Sequence, residues 1–113
     1  MPIKKVIAFD LDGTLCDTPS GGKTVDEKYM RSTPRPGAIA IVNALYDRGH
    51  TIVIYTARGM LFLAKDRDAI VDELYALTKN QLREWGIKHH RLIMGKPFYD
   101  VLIDDKVMYS GGA

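Results

Sequence analysis

The stretch VIAFDLDGTLCD, Val6 to Asp17, decides how the rest of the chain is read. From Lys4 to Asp10 it is apolar at nearly every position after two lysines, with β-branched and aromatic side chains. That pattern predicts a strand buried on both faces, as in a parallel sheet. The strand then runs into carboxylates at Asp10, Asp12 and Asp17. Asp12-Gly13 alone would suit a turn, because Asp bonds its own backbone and Gly accepts unusual dihedrals. Asp10 is harder to explain that way. A carboxylate at the end of a buried strand stays ionised only if it is solvated, paired or coordinated.

Working outward, residues 13 to 35 hold Gly13, Pro19, Gly21, Gly22 and Pro34 among mostly polar residues, which predicts a long, partly irregular excursion. A helix is expected from Pro36, with Ile39, Val42 and Tyr46 on its apolar face, Ala38, Ile41 and Leu45 beside them, and Gly49 as its stop. TIVIYTAR predicts a second buried strand, Thr51 to Tyr55, ending in Thr56. From Met60 to Trp85 the spacing is helical again, through Ile70, Leu74 and Leu77 and through Val71 and Tyr75. Thr78 to Gln81 matches a capping box, so two helices are expected as readily as one. RLIM is a third strand and DVLIDD a fourth.

Strands alternating with helices predict one domain over residues 1–113: a three-layer α/β/α sandwich, Rossmann-like, around a mainly parallel sheet. In such sheets the ligand site lies beyond the carboxyl ends of the strands. Asp10 and Asp12, Thr56, Lys96, and Asp104 and Asp105 all fall at those ends.

Composition limits what the chain can be. With 46% hydrophobic and 27% charged residues it reads as globular rather than disordered. A net charge of +2 without a Lys/Arg tract gives no reason to expect nucleic acid. No apolar run reaches the roughly 18 residues of a membrane span. The single cysteine, Cys16, cannot form an internal disulfide, which suits a reducing cytoplasm.

The chemistry follows from the strand ends. Carboxylates gathered at one edge repel one another unless a cation sits among them, and a hard divalent ion such as Mg2+ suits oxygen ligands plus a substrate phosphate. A hydroxyl at Thr56 and an ammonium at Lys96 would hold the remaining phosphoryl oxygens. Together these groups suit phosphoryl transfer through an aspartyl intermediate.

DLDGT also resembles the first motif of the haloacid dehalogenase (HAD) superfamily of hydrolases. Thr56 in IVIYTAR is similar to its second motif, Lys96 in GKP to its third, and VLIDD to its acidic fourth, in the same order over residues 4 to 106. The resemblance implies that Asp10 is the nucleophile and that Asp12 is the general acid and then the base. It implies that Asp10, the carbonyl of Asp12 and Asp105 hold Mg2+, with Asp104 beside them as an outer partner or the alternative ligand. It further implies that Lys96 neutralises charge and that Thr56 and the amides of Leu11 and Ala57 cradle the phosphoryl oxygens. The expected substrate is a small phosphorylated metabolite, a sugar phosphate before a nucleotide. Neither slot where the family inserts a cap domain is long enough here, so a capless member is expected, resembling the small proteins associated with capsule or surface-polysaccharide biosynthesis. Such an open site could be shielded by a neighbouring subunit, as in a homo-oligomer.

Two alternatives stand beside this one. A phospho-accepting receiver module also uses an acid pair, Thr and Lys at strand ends, but puts its acid pair after the first strand and its lone acceptor in the middle; here Asp-x-Asp comes first and Asp-Asp last. A non-catalytic phosphate-binding protein on the same fold would not need both Asp10 and Asp12. SGGKT, residues 20 to 24, lacks the leading glycine of a P-loop, since Asp17 stands there. Cys16 lacks the nearby arginine of a cysteine phosphatase and reads as a small buried thiol. Arg58 is either a substrate contact or a surface ion pair, His89 and His90 are surface residues, and Trp85 and Tyr75 are core.

Overall fold

Three parallel strands, Val6–Phe9, Thr51–Thr56 and Arg91–Met94, lie side by side in that order in a computed structural model that describes residues 3–20, 25–58, 67–96 and 103. The elements along the chain are β1 (Val6–Phe9), β2 (Cys16–Asp17), α1 (Val25–Met30), β3 (Thr33–Pro34), α2 (Pro36–Asp47), β4 (Thr51–Thr56), α3 (Arg67–Glu84) and β5 (Arg91–Met94). The pairing Phe9↔Ile54 and Thr56↔Met94 sets the three carboxyl ends side by side. Of the fourth strand expected at DVLIDD only Ile103 is among the described residues, where it is in no strand and 92% exposed; Asp104 and Asp105 lie outside them.

Alternation along β4 shows how the sheet is used. Ile52, Ile54 and Thr56 are buried, while Thr51, Val53 and Tyr55 are half-buried. Ile52 and Ile54 share one core with Ile39 and Val42 of α2, Leu82 of α3, Leu92 of β5, and Leu11, Leu15 and Cys16. Both long helices therefore cover the same face. The opposite face carries Val6, which is 74% exposed, and Ala8, also exposed. The expectation that β1 is buried on both faces is corrected on this point: it lies at an edge of the described sheet, Ile7 and Phe9 pack on the core, and Val6 and Ala8 on the other face are exposed. The described residues thus form a small α/β fold of two layers, and a second helical layer is not among them.

Local chemistry explains the element ends. Pro36 opens α2, where a missing N–H costs nothing. At its far end the N–H of Gly49 donates to Tyr46 O at 2.9 Å with φ of 94°, and a Cβ there would collide with Lys4 Nζ, which donates to Arg48 O at 2.7 Å. Ile41 points outward at 61% exposed, off the buried stripe of Ile39 and Val42. α3 is unbroken through the expected capping box. Thr78 is fully buried in mid-helix, and its hydroxyl has a partner from another element, so it has no need of a helix end. Trp85 packs on the core, but Tyr75 is 40% exposed, not core. His90 is exposed as expected, yet it also has a structural role: its Nδ1 accepts the Ile52 N–H at 3.0 Å, and its ring stacks on Tyr46. His50 does the same for Lys5 N–H at 3.1 Å, so two imidazoles close the amino ends of the sheet. Among the described residues, no helix is long and apolar enough to cross a membrane.

Candidate active site

Asp10 follows the last residue of β1, Thr56 ends β4, and Lys96 lies two residues past β5. The Lys96 N–H donates to Thr56 O at 3.2 Å, which draws the β5 exit toward β4. Lys96 Nζ then lies 3.4 Å from Asp10 Oδ1, with the lysine side chain 17% and the aspartate 40% exposed. Thr56 is 1% exposed, and its hydroxyl oxygen accepts the Arg58 N–H at 3.1 Å. That contact uses a lone pair and leaves the hydroxyl proton to donate elsewhere. Three of the residues expected from sequence thus converge.

The loop after β1 curls at once. The carbonyl of Leu11 accepts the N–H groups of Thr14, Leu15 and Cys16, and Gly13, with φ of 83°, donates to Cys16 O at 2.8 Å. Only glycine takes that left-handed conformation at little cost. Arg35 ties the curl down from the β3 side, donating to Gly13 O at 2.7 Å and to Asp17 Oδ1 at 2.9 Å. Continuing the β1–β4 register puts Leu11 beside Thr56, so the Leu11 and Ala57 amides follow adjacent strand ends.

Asp12 emerges from this curl into a different setting from Asp10. Arg58 Nε donates to its Oδ2 at 3.0 Å and Nη2 to its Oδ1 at 2.9 Å, while the Thr18 hydroxyl donates to Oδ1 as well. Burial pushes the Asp12 carboxyl up, but the hydrogen bonds and charge of Arg58, with bonds from Thr18 and Cys16, hold it below the ordinary carboxylate range. Arg58 itself is buried, so an exposed ion pair is set aside. Its donors meet Asp12, Thr78, Gln81, Ser32 and Cys16. That set occupies the guanidinium with protein partners, which corrects the expectation that it reaches for substrate.

Cys16 is a free, buried thiol pushed up to about 11, first by burial and then by the Asp12 charge. At neutral pH it is protonated and a poor nucleophile. A cleft of about 470 Å³ opens beside Asp12, lined by Gly13, Asp17, Thr18, Pro19, Arg31 and Thr33. Asp12 is the sequence-expected site residue that reaches it. Thr18, Ser32, Thr78 and Gln81 were missed as site residues. One signal was present: Arg58 stands two residues past Thr56 as Asp12 stands two past Asp10, on neighbouring parallel strands.

Among the described residues no group of three or more His, Cys, Asp or Glu side chains could hold a metal ion. In kind, the Asp10 oxygens suit a hard cation. In number, a site would need carboxylates such as Asp104 and Asp105, which lie outside the described residues.

No family model matches the chain, and no curated protein matches its sequence. Among solved structures, the chain is similar to the crystal structure of a structural-genomics target from Vibrio cholerae, at 26% identity and a TM-score of 0.66. The match covers 94% of this chain and 83% of the other. It bears on the α/β fold and brings no activity with it.

Proposed function

We propose that this chain is a phosphomonoesterase of the HAD type that works through an aspartyl phosphate on Asp10. The observation that carries the proposal is the meeting of Asp10, Lys96 and Thr56 at adjacent parallel strand ends, with Lys96 Nζ 3.4 Å from Asp10 Oδ1 and a second carboxylate two residues on. A carboxylate that is 40% exposed can reach a substrate phosphorus. A lysine beside it offsets the charge of a phosphate approaching an anion. In the first half-reaction an Asp10 oxygen bonds to phosphorus, the ester oxygen leaves with the bonding pair, and Asp12 gives it a proton. In the second, water attacks the phosphorus, Asp12 takes the water's proton, and the Asp10–phosphorus bond breaks to return the carboxylate and inorganic phosphate. Asp12, ionised by its pairing with Arg58, is ready for the second half. For the first half it must carry a proton, which the negative charge of an incoming phosphate favours.

If Mg2+ takes part, Asp10, the Asp12 carbonyl and Asp105, or Asp104 in its place, would hold it, and it would supply further charge neutralisation at the phosphate. The cleft beside Asp12 suits the leaving group, since the proton donor stands at its wall. A second helical layer on the other face of the sheet, completing a three-layer α/β/α sandwich, and the absence of a cap are the finer fold points of the same proposal, as is a cytoplasmic setting for the free Cys16 thiol. The direct test is a panel of phosphorylated sugars, nucleotides and other small metabolites, assayed with Mg2+ and with EDTA. Phosphate release from at least one class, lost in EDTA, supports the proposal; no release from any of them contradicts it.

A further inference from the structure

Arg58 touches no reacting atom in the two half-reactions above and enters them only through its pairing with Asp12, yet it is among the most deeply buried of the described side chains. A guanidinium taken out of water costs several kcal/mol unless every face of it is met by a partner. Here partners from several elements supply that. Nη1 donates to Thr78 Oγ1 at 3.0 Å and to Gln81 Oε1 at 2.6 Å, both on α3. The guanidinium carbon lies 4.6 Å from the centre of the Tyr29 ring on α1, and Gln81 Nε2 donates to Tyr29 O at 2.7 Å, which fixes the amide that fixes the arginine. One edge of the planar group is therefore clamped by helices, and its Nε and Nη2 edge is left facing Asp12.

The consequence falls on Asp12. A two-pronged contact sets the plane of a carboxylate as well as its position. Thr18, itself bonded to Ser32 at 2.7 Å, adds a third contact. Still, the Asp12 side chain keeps 28% of its surface exposed, and it lines the cleft. The arrangement holds the acid from behind and leaves its front open. An ion pair serving only to tie α3 to the loop after β1 would have no need of that opening.

We propose that Arg58, clamped by Thr78 and Gln81, is a positioning residue that fixes the orientation in which Asp12 faces the cleft. Its kinetic consequence rests on the phosphatase reading; its structural consequence does not. The test uses Arg58→Lys, which keeps the charge and loses the fork, and Gln81→Leu, which keeps Arg58 and loosens its clamp. In crystal structures of both variants, the Asp12 carboxylate is expected to leave its present plane while β1, β4 and α3 superpose on the wild type. An unmoved Asp12 in both overturns the proposal. In kinetics, kcat/KM covers binding and each step up to departure of the leaving group, so it leaves out the later work of Asp12 as base, and the contrast between two esters isolates proton donation. For an alkyl phosphate, whose leaving oxygen needs the proton, Arg58→Lys should lower kcat/KM about 100-fold. For a nitrophenyl phosphate, whose leaving group needs none, the loss should stay within about threefold. Equal losses for both esters mark a structural ion pair and overturn the proposal. A wild-type protein inactive on every ester would remove the phosphatase reading, and the crystal structures would still decide whether Arg58 positions Asp12.

Discussion

Asp10 and Asp12 are two residues apart and live in different physical worlds. Asp10 is placed by the end of β1, is 40% exposed, and has Lys96 at 3.4 Å. Asp12 is placed by a curled loop and a fully buried arginine, with both carboxylate oxygens bonded. Among the described residues the first acid is set by its strand end and meets the single side chain of Lys96, and water still reaches it. The second is set by side chains from three other segments. Replacing the first should therefore separate chemistry from stability, and replacing the second should not.

The largest effect is expected at Asp10. Asp10→Asn should lower phosphate-ester turnover by at least about 1,000-fold, since the proposed nucleophile is gone. Its melting temperature should stay at the wild-type value. Asp12→Asn should also lose activity, but leaves Arg58 charged and buried without its anion. Denaturant titration should show a loss of about 3 kcal/mol. Equal stability of the two variants would erase the contrast drawn here. Lys96→Met should reduce kcat about 100-fold by removing one charge at the developing transition state, with little change in stability.

Smaller effects sharpen the same contrast. Asp12 has its carboxyl held low in the folded chain, against about 3.9 when unfolded. A depressed carboxylate contributes stability above its unfolded value and loses it as pH falls through the folded one. Unfolding free energy should decline on acidification below about pH 5, and the decline should be shallower in Asp12→Asn. The smallest change is expected at the opposite end of the sheet. His90→Phe keeps the stack on Tyr46 and removes the acceptor for Ile52 N–H, a loss of about 1 kcal/mol, with activity untouched.

What could be read from the sequence follows the same division. β1, β4, β5 and α2 were legible because apolar runs and a 3.6-residue stripe report burial directly. Asp10, Thr56 and Lys96 were legible because a parallel sheet puts strand ends together whatever lies between them. The Arg58 network was not. Its members sit in four separate segments, and although the matched spacing of Asp12 and Arg58 past their strand ends hints that the two are neighbours, it carries no mark of the arginine being buried. Thr78 misled for a related reason: hydroxyls favour helix ends in general, and here a buried guanidinium supplied the partner in mid-helix. The open face of β1 was missed because apolar composition signals what could be covered rather than what is covered.

The most direct measurement is reductive trapping of the intermediate. During turnover of a phosphate ester, borohydride should convert an acyl phosphate on Asp10 to homoserine, and mass spectrometry of the peptide spanning Val6 to Asp17 would locate it. Homoserine at position 10, absent without substrate and absent in Asp10→Asn, is the expected result. Steady release of phosphate with position 10 unmodified, or with the reduced residue at another carboxylate, would contradict the assignment of Asp10 as nucleophile.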